Sequence, residues 1–248
     1  MKSYNSKNRN KGLRLRGRLQ FLFVAILMSI SILLIAGIYI YDRQTEYFYD
    51  FENDAINSFP KGFVGVGRIN TTKVVEWNVD DGHKGKVVQI AYLEENPYNY
   101  TGTEINTLFT KSTEGTISFD IYLTEFLRVC IDVCQEDTVW NSTDDVCIRM
   151  SYWDFVEVIS VENELGKLEN ITSSLELLQW YHLKIYFNCI RNAWNVVVYD
   201  EDMNVVGNGN FKFFVQPSYM CQLYFSTYLL GNVFYIDNVR ISLNSIII

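Results

Sequence analysis

No charged side chain stands between Phe21 and Tyr41, and no acidic one precedes Asp42. The uncharged run reads FLFVAILMSISILLIAGIYIY, 21 residues. As a helix it reaches roughly 31 Å, close to the ~30 Å hydrocarbon core of a bilayer. Seven basic residues come before it: Lys2, Lys7, Arg9, Lys11, Arg14, Arg16 and Arg18. Basic flanks stay on the cytoplasmic side. The expected organisation is a basic cytoplasmic tail over 1–20, a transmembrane helix over 21–41, a short stalk over 42–46 and an extracytoplasmic domain over 47–248. The lipid bilayer is then the first partner, and the chain a single-pass protein of the cell membrane. A cleaved signal peptide is the alternative. Its apolar core usually runs about 7–15 residues and ends in an A-x-A-like site. The run here is longer, and Ala36-Gly37-Ile38 matches that site poorly. No cysteine follows the run closely, which excludes a lipoprotein anchor.

Other scarcities narrow the outer part. Basic residues are few there: 29 acidic side chains follow the apolar run against fourteen basic ones. Such a surface repels nucleic acid and anionic polymers and suits cations and neutral ligands. Proline occurs only three times, at Pro60, Pro97 and Pro217, always between apolar runs where a missing N–H costs nothing. Histidine occurs twice. His83 lies in the turn-like stretch Asp81-Gly82-His83-Lys84-Gly85 and reads as a solvated loop residue. His182 lies on a strand face with Trp180 and Lys184. Neither has a neighbouring Ser or Cys signature of a nucleophilic elbow or dyad. Lyase chemistry with Tyr and His as acid and base stays open, because Tyr is abundant.

The five cysteines, Cys130, Cys134, Cys147, Cys189 and Cys221, all follow the apolar run. An oxidising exterior permits disulfides, and five thiols leave one over. Cys134 and Cys147 are the candidate pair, because they flank a polar loop whose base they would staple. Zinc is the rival for Cys130 and Cys134, but no Cys/His pair stands at a matching distance. Sequons occur at Asn70, Asn99, Asn141 and Asn170, which fits an extracytoplasmic glycoprotein.

What is abundant is aromatic and β-branched sequence in short runs, broken by turn residues every 8–15 positions or so. The clearest strand is Gly115–Phe126. Ile117, Phe119, Ile121 and Leu123 share one face; Ser118, Asp120, Tyr122 and Thr124 share the other. Strands are also expected over 74–79, 86–93, 104–110, 146–153, 155–161, 180–189, 195–199, 211–215, 222–228 and 233–243. Asn192-Ala193 and Asn208-Gly209 read as turns. Residues 173–178 allow one helical turn. Trp77, Trp153, Trp180 and Trp194 fall in strand patterns and read as core. The fold class is all-β, an antiparallel jelly-roll β-sandwich preceded by one N-terminal transmembrane α-helix.

Particular stretches carry a family likeness: Tyr49-Asp50-Phe51-Glu52, Phe59-Pro60-Lys61-Gly62-Phe63, Gly115-Thr116-Ile117-Ser118-Phe119-Asp120, Trp180-Tyr181-His182-Leu183-Lys184-Ile185 and Phe234-Tyr235-Ile236-Asp237-Asn238-Val239. They resemble the jelly rolls of the concanavalin A-like lectin/glucanase superfamily, laminin-G-like and carbohydrate-binding modules included. The resemblance spans about residues 47–243. Glucanases of that superfamily carry Glu-x-Asp-x-x-Glu on one strand. The nearest stretch here has Ser118 in the first position, and Asp120 and Glu125 face opposite sides of a regular strand, so that motif is absent. The resemblance also implies a structural calcium held by an early Glu and an Asp of the closing strand, which are Glu52 and Asp237. A carboxylate among Phe234, Tyr235, Ile236, Val239 and Ile241 needs a partner, whether a cation, the backbone or Arg240.

Sugar binding needs flat aromatic faces beside a few polar groups. Two loops offer them: Tyr98 and Tyr100 among amides, and Trp140 among carboxylates. The expected function is a non-catalytic recognition or adhesion module binding glycan or a surface protein. A membrane-anchored glycan-cleaving enzyme and a structural envelope subunit are the alternatives.

Overall fold

The computed structural model describes residues 26–31, 44–67, 71–79, 83–93, 102–124, 128–135, 146–153, 157–228 and 230–244. Two compact units emerge, Met1–Gln44 and Thr45–Ile248. In the first, residues 26–31 are α-helical and exposed, and the Ser31 hydroxyl donates back to the Leu27 carbonyl at 2.9 Å. No described helix is long and apolar enough to cross a membrane. The rest of the expected span lies outside the described residues.

The second unit is a sandwich of two antiparallel sheets. Its strands are β1 (Gln44–Tyr49), β2 (Val64–Gly67), β3 (Lys73–Glu76), β4 (Lys86–Ala91), β5 (Thr103–Ser112), β6 (Glu114–Leu123), β7 (Arg128–Cys134), β8 (Val146–Trp153), β9 (Val158–Glu162), β10 (Leu168–Asn170), β11 (Gln179–Asn188), β12 (Ala193–Tyr199), β13 (Val205–Phe211), β14 (Met220–Thr227) and β15 (Val233–Asn244). The first sheet runs β13-β12-β11-β6-β15-β4-β3, with β1 also on β15; the second runs β10-β9-β8-β7-β14-β5-β2. The chain changes sheet repeatedly, as from β4 to β5, β5 to β6 and β6 to β7, so strands adjacent in space are often distant in sequence.

Alternation explains the core. Ile117, Phe119, Ile121 and Leu123 of β6 and Leu183, Ile185 and Phe187 of β11 point inward and are fully or almost fully buried. From the second sheet come Ile105, Ile131, Val133, Ile148, Met150, Leu223 and Phe225. Phe119 and Phe225 meet edge-on across the middle, centroids 5.0 Å apart at 87°. Burying such side chains contributes about 1.5–3 kcal/mol each.

Three expectations change. Asn208 and Gly209 lie inside β13, not in a turn. The glycines of β13 serve close approach: a Cβ on Gly207 would sit 2.5 Å from Thr172 Cγ2 and 2.6 Å from the Ile171 carbonyl oxygen, where an isolated bridge joins Thr172 to Gly207. Residues 173–178 form no helix; Leu175 N–H bonds to the Glu157 carbonyl instead. Of the four tryptophans, Trp194 alone joins the central core. Trp77 and Trp180 are buried on the outer face of the first sheet, and the Arg128 guanidinium lies 3.9 Å over the Trp153 ring. Gly207→Ala is expected to destabilise the fold by about 1–3 kcal/mol, because backbone must move to admit the methyl. Val205→Ala on the same strand is exposed and should change stability by less than about 0.5 kcal/mol. Urea unfolding of both variants checks this; equal losses would show that crowding is not the reason for the glycine.

Candidate binding site on the outer face of the first sheet

The outward side chains of β6, β11 and β15 build this face. Asp120 of β6 is the cross-strand partner of His182 on β11 and of Asp237 on β15. The β6–β15 register slips between Asp237 and Arg240, so Asn238 and Val239 both lie opposite Phe119. Asn238 takes a left-handed φ of 50°, which Asn tolerates better than most residues. This bulge sends Val239 into the core and Asn238 to the outer face. There Asn238 Nδ2 donates to Asp120 Oδ2 at 2.7 Å, and the other oxygen of Asp120 pairs with His182 Nδ1 at 2.6 Å.

His83 arrives from the segment between β3 and β4, whose base is closed by the Trp77 N–H to Gly85 carbonyl bond at 2.8 Å. Its ring stacks on Trp180, centroids 4.1 Å apart at 17°, and its Nε2 lies 2.8 Å from Asp237 Oδ2. Trp77 packs edge-on to Tyr122, Trp180 and Tyr235 at 4.8–5.1 Å and closes an aromatic cluster beneath. His83 is therefore not the solvated loop residue the sequence suggested; its side chain is 16% exposed. Burial pushes the Asp237 carboxyl above the usual carboxylate range, and His83 pulls against that rise. The second oxygen of Asp237 is buried and makes no hydrogen bond among the described residues.

Beside this network opens a pocket of about 350 Å³. Asp120, Trp180 and His182 form one side, and the turn between β12 and β13 supplies Asp200, Glu201 and Met203 on the other. That turn is held by Asp200, whose carboxylate accepts from both the backbone and side-chain nitrogens of Asn204 at 2.8 and 3.0 Å. Glu201 Oε1 accepts the Trp180 N–H at 3.0 Å and ties the turn to β11. Chemically, the pocket offers several hydrogen-bond acceptors beside an aromatic wall.

The residues singled out in the sequence fare differently. Tyr98, Tyr100, Trp140, Asn70, Asn99 and Asn141 lie outside the described residues. Asn170 is exposed on the edge strand β10, a position open to a glycan. Asp237 belongs to the face just described, partnered by His83 and not by Arg240, whose guanidinium pairs with Glu46 at 3.2 Å. Glu52 works elsewhere: its Oε1 accepts the Lys86 N–H at 2.8 Å, and a Cβ on Gly85 (φ +105°) would fall 1.9 Å from that oxygen. The orphan oxygen of Asp237 leaves room for a further partner. Even so, no group of three or more His, Cys, Asp or Glu side chains among the described residues is arranged to hold a metal ion. Glu52 and Asp237 hold separate partners, the Lys86 N–H and His83.

The expected Cys134–Cys147 staple is not formed; all five cysteines are buried and none is in a disulfide. The register explains it. A bulge sets Cys134 opposite Val146, so the next residue, Cys147, points the other way and joins the core.

Sequence reasoning missed the outer face of the second sheet. One row across it reads Glu162, Arg149, Asp132, Tyr224 and Asn106. Arg149 Nε lies 3.2 Å from Asp132 Oδ1, and its Nη1 lies 3.6 Å from Glu162 Oε2. Gln222 donates to Asn106 at 3.0 Å. The carboxyl of Glu104, on the next row, makes no hydrogen bond or ion pair among the described residues. Burial, with Asp132 nearby adding to it, pushes its pKa from 4.5 to about 7. The folded protein thus keeps a proton that the unfolded chain has released, and stability falls as pH rises from 4.5 to 7. The difference is about 3 kcal/mol above that window. Glu104→Gln is expected to raise the urea midpoint at pH 8 and to leave it unchanged at pH 4. A gain of the same size at both pH values would contradict a proton-linked origin.

Against known proteins, no protein-family model and no curated protein matches the chain. Solved structures do. A sialidase is similar over 82% of this chain with 13% identity and a TM-score of 0.52; the chain spans only 18% of that sialidase. Lectin II from Ulex europaeus is similar over 80% of this chain and 98% of its own, with 8% identity and a TM-score of 0.56. Lectin I from Ulex europaeus, solved with the methyl glycoside of α-L-fucose, is similar over 80% and 97%, with 9% identity and a TM-score of 0.53. At such identities the likeness is one of fold: a lectin-like β-sandwich.

Proposed function

We propose that this chain is a membrane-anchored, non-catalytic surface module that recognises glycan through the pocket on its first sheet. The observation that carries the reading is the pocket's construction. Asp120, His182, Asp200 and Glu201 present acceptors around an opening walled by Trp180 and His83. Sugars are held by such pairings of apolar faces with fixed polar groups, and 350 Å³ lies at the lower end of the about 300–1,000 Å³ of small-ligand sites. The lectin-like fold supports the reading without deciding it, because one sandwich serves many activities. The anchor rests on the uncharged run of residues 21–41 and its basic flank. Full-length protein in detergent, applied to a glycan array, is expected to bind at least one glycan. Asp200→Ala together with His182→Ala should reduce that binding by at least about tenfold. Silence across the array, or undiminished binding by the double variant, overturns the assignment.

A second reading has its own observation. Glu104 holds a proton to near pH 7, while Arg149 keeps Asp132 paired on the strand one removed, across β14. Burial pushes the Asp132 carboxyl upward as well, with Arg149 pulling against that rise, and a pair of carboxyl groups is what glycosidic hydrolysis requires. A screen of chromogenic glycosides with wild type, Glu104→Gln and Asp132→Asn tests it. Turnover abolished in both variants would favour a glycan-cleaving enzyme; no turnover by wild type leaves the recognition module.

A further inference from the structure

We propose that the first-sheet pocket selects saccharides bearing a free, protonated amine over their N-acetylated or anionic counterparts; this rests on the glycan reading above. Three of its lining residues, Asp120, Asp200 and Glu201, carry carboxylates, and none of its lining residues is Lys or Arg. Lys184, two residues from His182, lies 4.9 Å over the Tyr186 ring, further along β11.

Each carboxylate keeps capacity for a ligand. Asp200 is tied to Asn204 by one bond per oxygen, and those bonds hold its carboxyl below the usual range, so it stays ionised. A carboxylate has about four lone-pair sites, so half remain open. Glu201 spends Oε1 on the Trp180 N–H, and its Oε2 makes no hydrogen bond among the described residues. Asp120 is bonded at both oxygens, by His182 and Asn238. With Nδ1 of His182 donating to Asp120, a neutral ring leaves Nε2 as an acceptor.

The pocket is therefore rich in acceptors and carries negative charge. The adjoining Asp237 does not line the pocket; one of its oxygens pairs with His83 and the other is buried without a hydrogen bond among the described residues. An ammonium supplies three N–H donors and a positive charge and fits such a field. An N-acetyl group replaces them with one neutral donor and adds an acceptor that faces other acceptors. A carboxylate or sulfate is repelled outright. The Trp180–His83 wall gives the sugar ring an apolar face to lie beside, which distinguishes this site from a bare acidic patch.

The test compares chitosan and chitin oligosaccharides of equal length, and a uronate oligosaccharide, on the full-length protein by titration calorimetry in detergent. The free-amine oligosaccharide is expected to bind at least about tenfold more tightly than the N-acetylated one, the scale of a few partly screened charge contacts. Uronate should not bind. Raising salt from about 50 to 500 mM should weaken only the amine ligand. Glu201→Gln keeps an oxygen for the Trp180 N–H while removing charge; combined with Asp200→Asn it should bring the two ligands to within about threefold. Equal affinity for both sugars in wild type, or a preference for the acetylated one, overturns amine selection while leaving glycan recognition intact. Binding of neither, together with a silent array, overturns both. Thermal unfolding of the double variant within a few degrees of wild type ties a lost preference to charge and not to a damaged fold.

Discussion

A single buried carboxylate sets the geometry of the first sheet's outer face. Asp237 lies on β15, the strand that joins β6, β4 and β1, just where its register slips. A charge buried at such a place costs several kcal/mol unless it is paired. His83 supplies the pairing, and so the β3–β4 segment is drawn down onto the sheet. The ring that meets Asp237 also stacks on Trp180, so one contact fixes both a charge and an aromatic wall. The bulge does the rest: Asn238, turned outward by its left-handed backbone, holds Asp120, and Asp120 holds His182. Four side chains from three strands and a loop thus share one cause.

The two sheets divide their labour. Their inner faces are dry and closely interleaved. Their outer faces are both polar but in different ways. The first carries paired imidazoles and carboxylates around an open pocket. The second carries a chain of charges, Glu162, Arg149 and Asp132, with the Glu104 carboxyl beside it, unpaired among the described residues. An unpaired carboxylate persists by keeping its proton, and the fold bears that cost only above the pH at which the unfolded chain would release it. The five buried cysteines form no disulfide, and the domain is stabilised by packing: much apolar side chain is enclosed between two sheets, and β7 and β8 are held by their ladder and core without a covalent staple.

Much of the fold was legible. Period-two alternation located β6, β8, β11 and β15 almost to the residue, because each buries one face and solvates the other. β7 was missed although it alternates, Val129, Ile131 and Val133 inward against Cys130, Asp132 and Cys134 outward, because its cysteines read as bridge or metal candidates; β1, β2 and β10 were missed because they are short or lie at edges where few side chains are buried. The pocket was far less legible. Asp120 and His182 were visible as outward residues on strong strands, but 62 positions separate them, and Asp237 stands 154 from His83. Nothing in local spacing states that these strands are neighbours.

What the sequence by itself determined is local and periodic: an uncharged run flanked by basic residues, a β-rich body, and which side of each strand turns from water. Those follow from solvent preference and backbone geometry, which act over a few residues. Only the tertiary structure decided which outward residues meet, that His83 packs on Asp237, that the thiols of Cys134 and Cys147 face apart, and that the Glu104 carboxyl has no partner among the described residues. Such outcomes depend on strand order and on one-residue slips of register, and a slip of one residue sends a side chain to the opposite face.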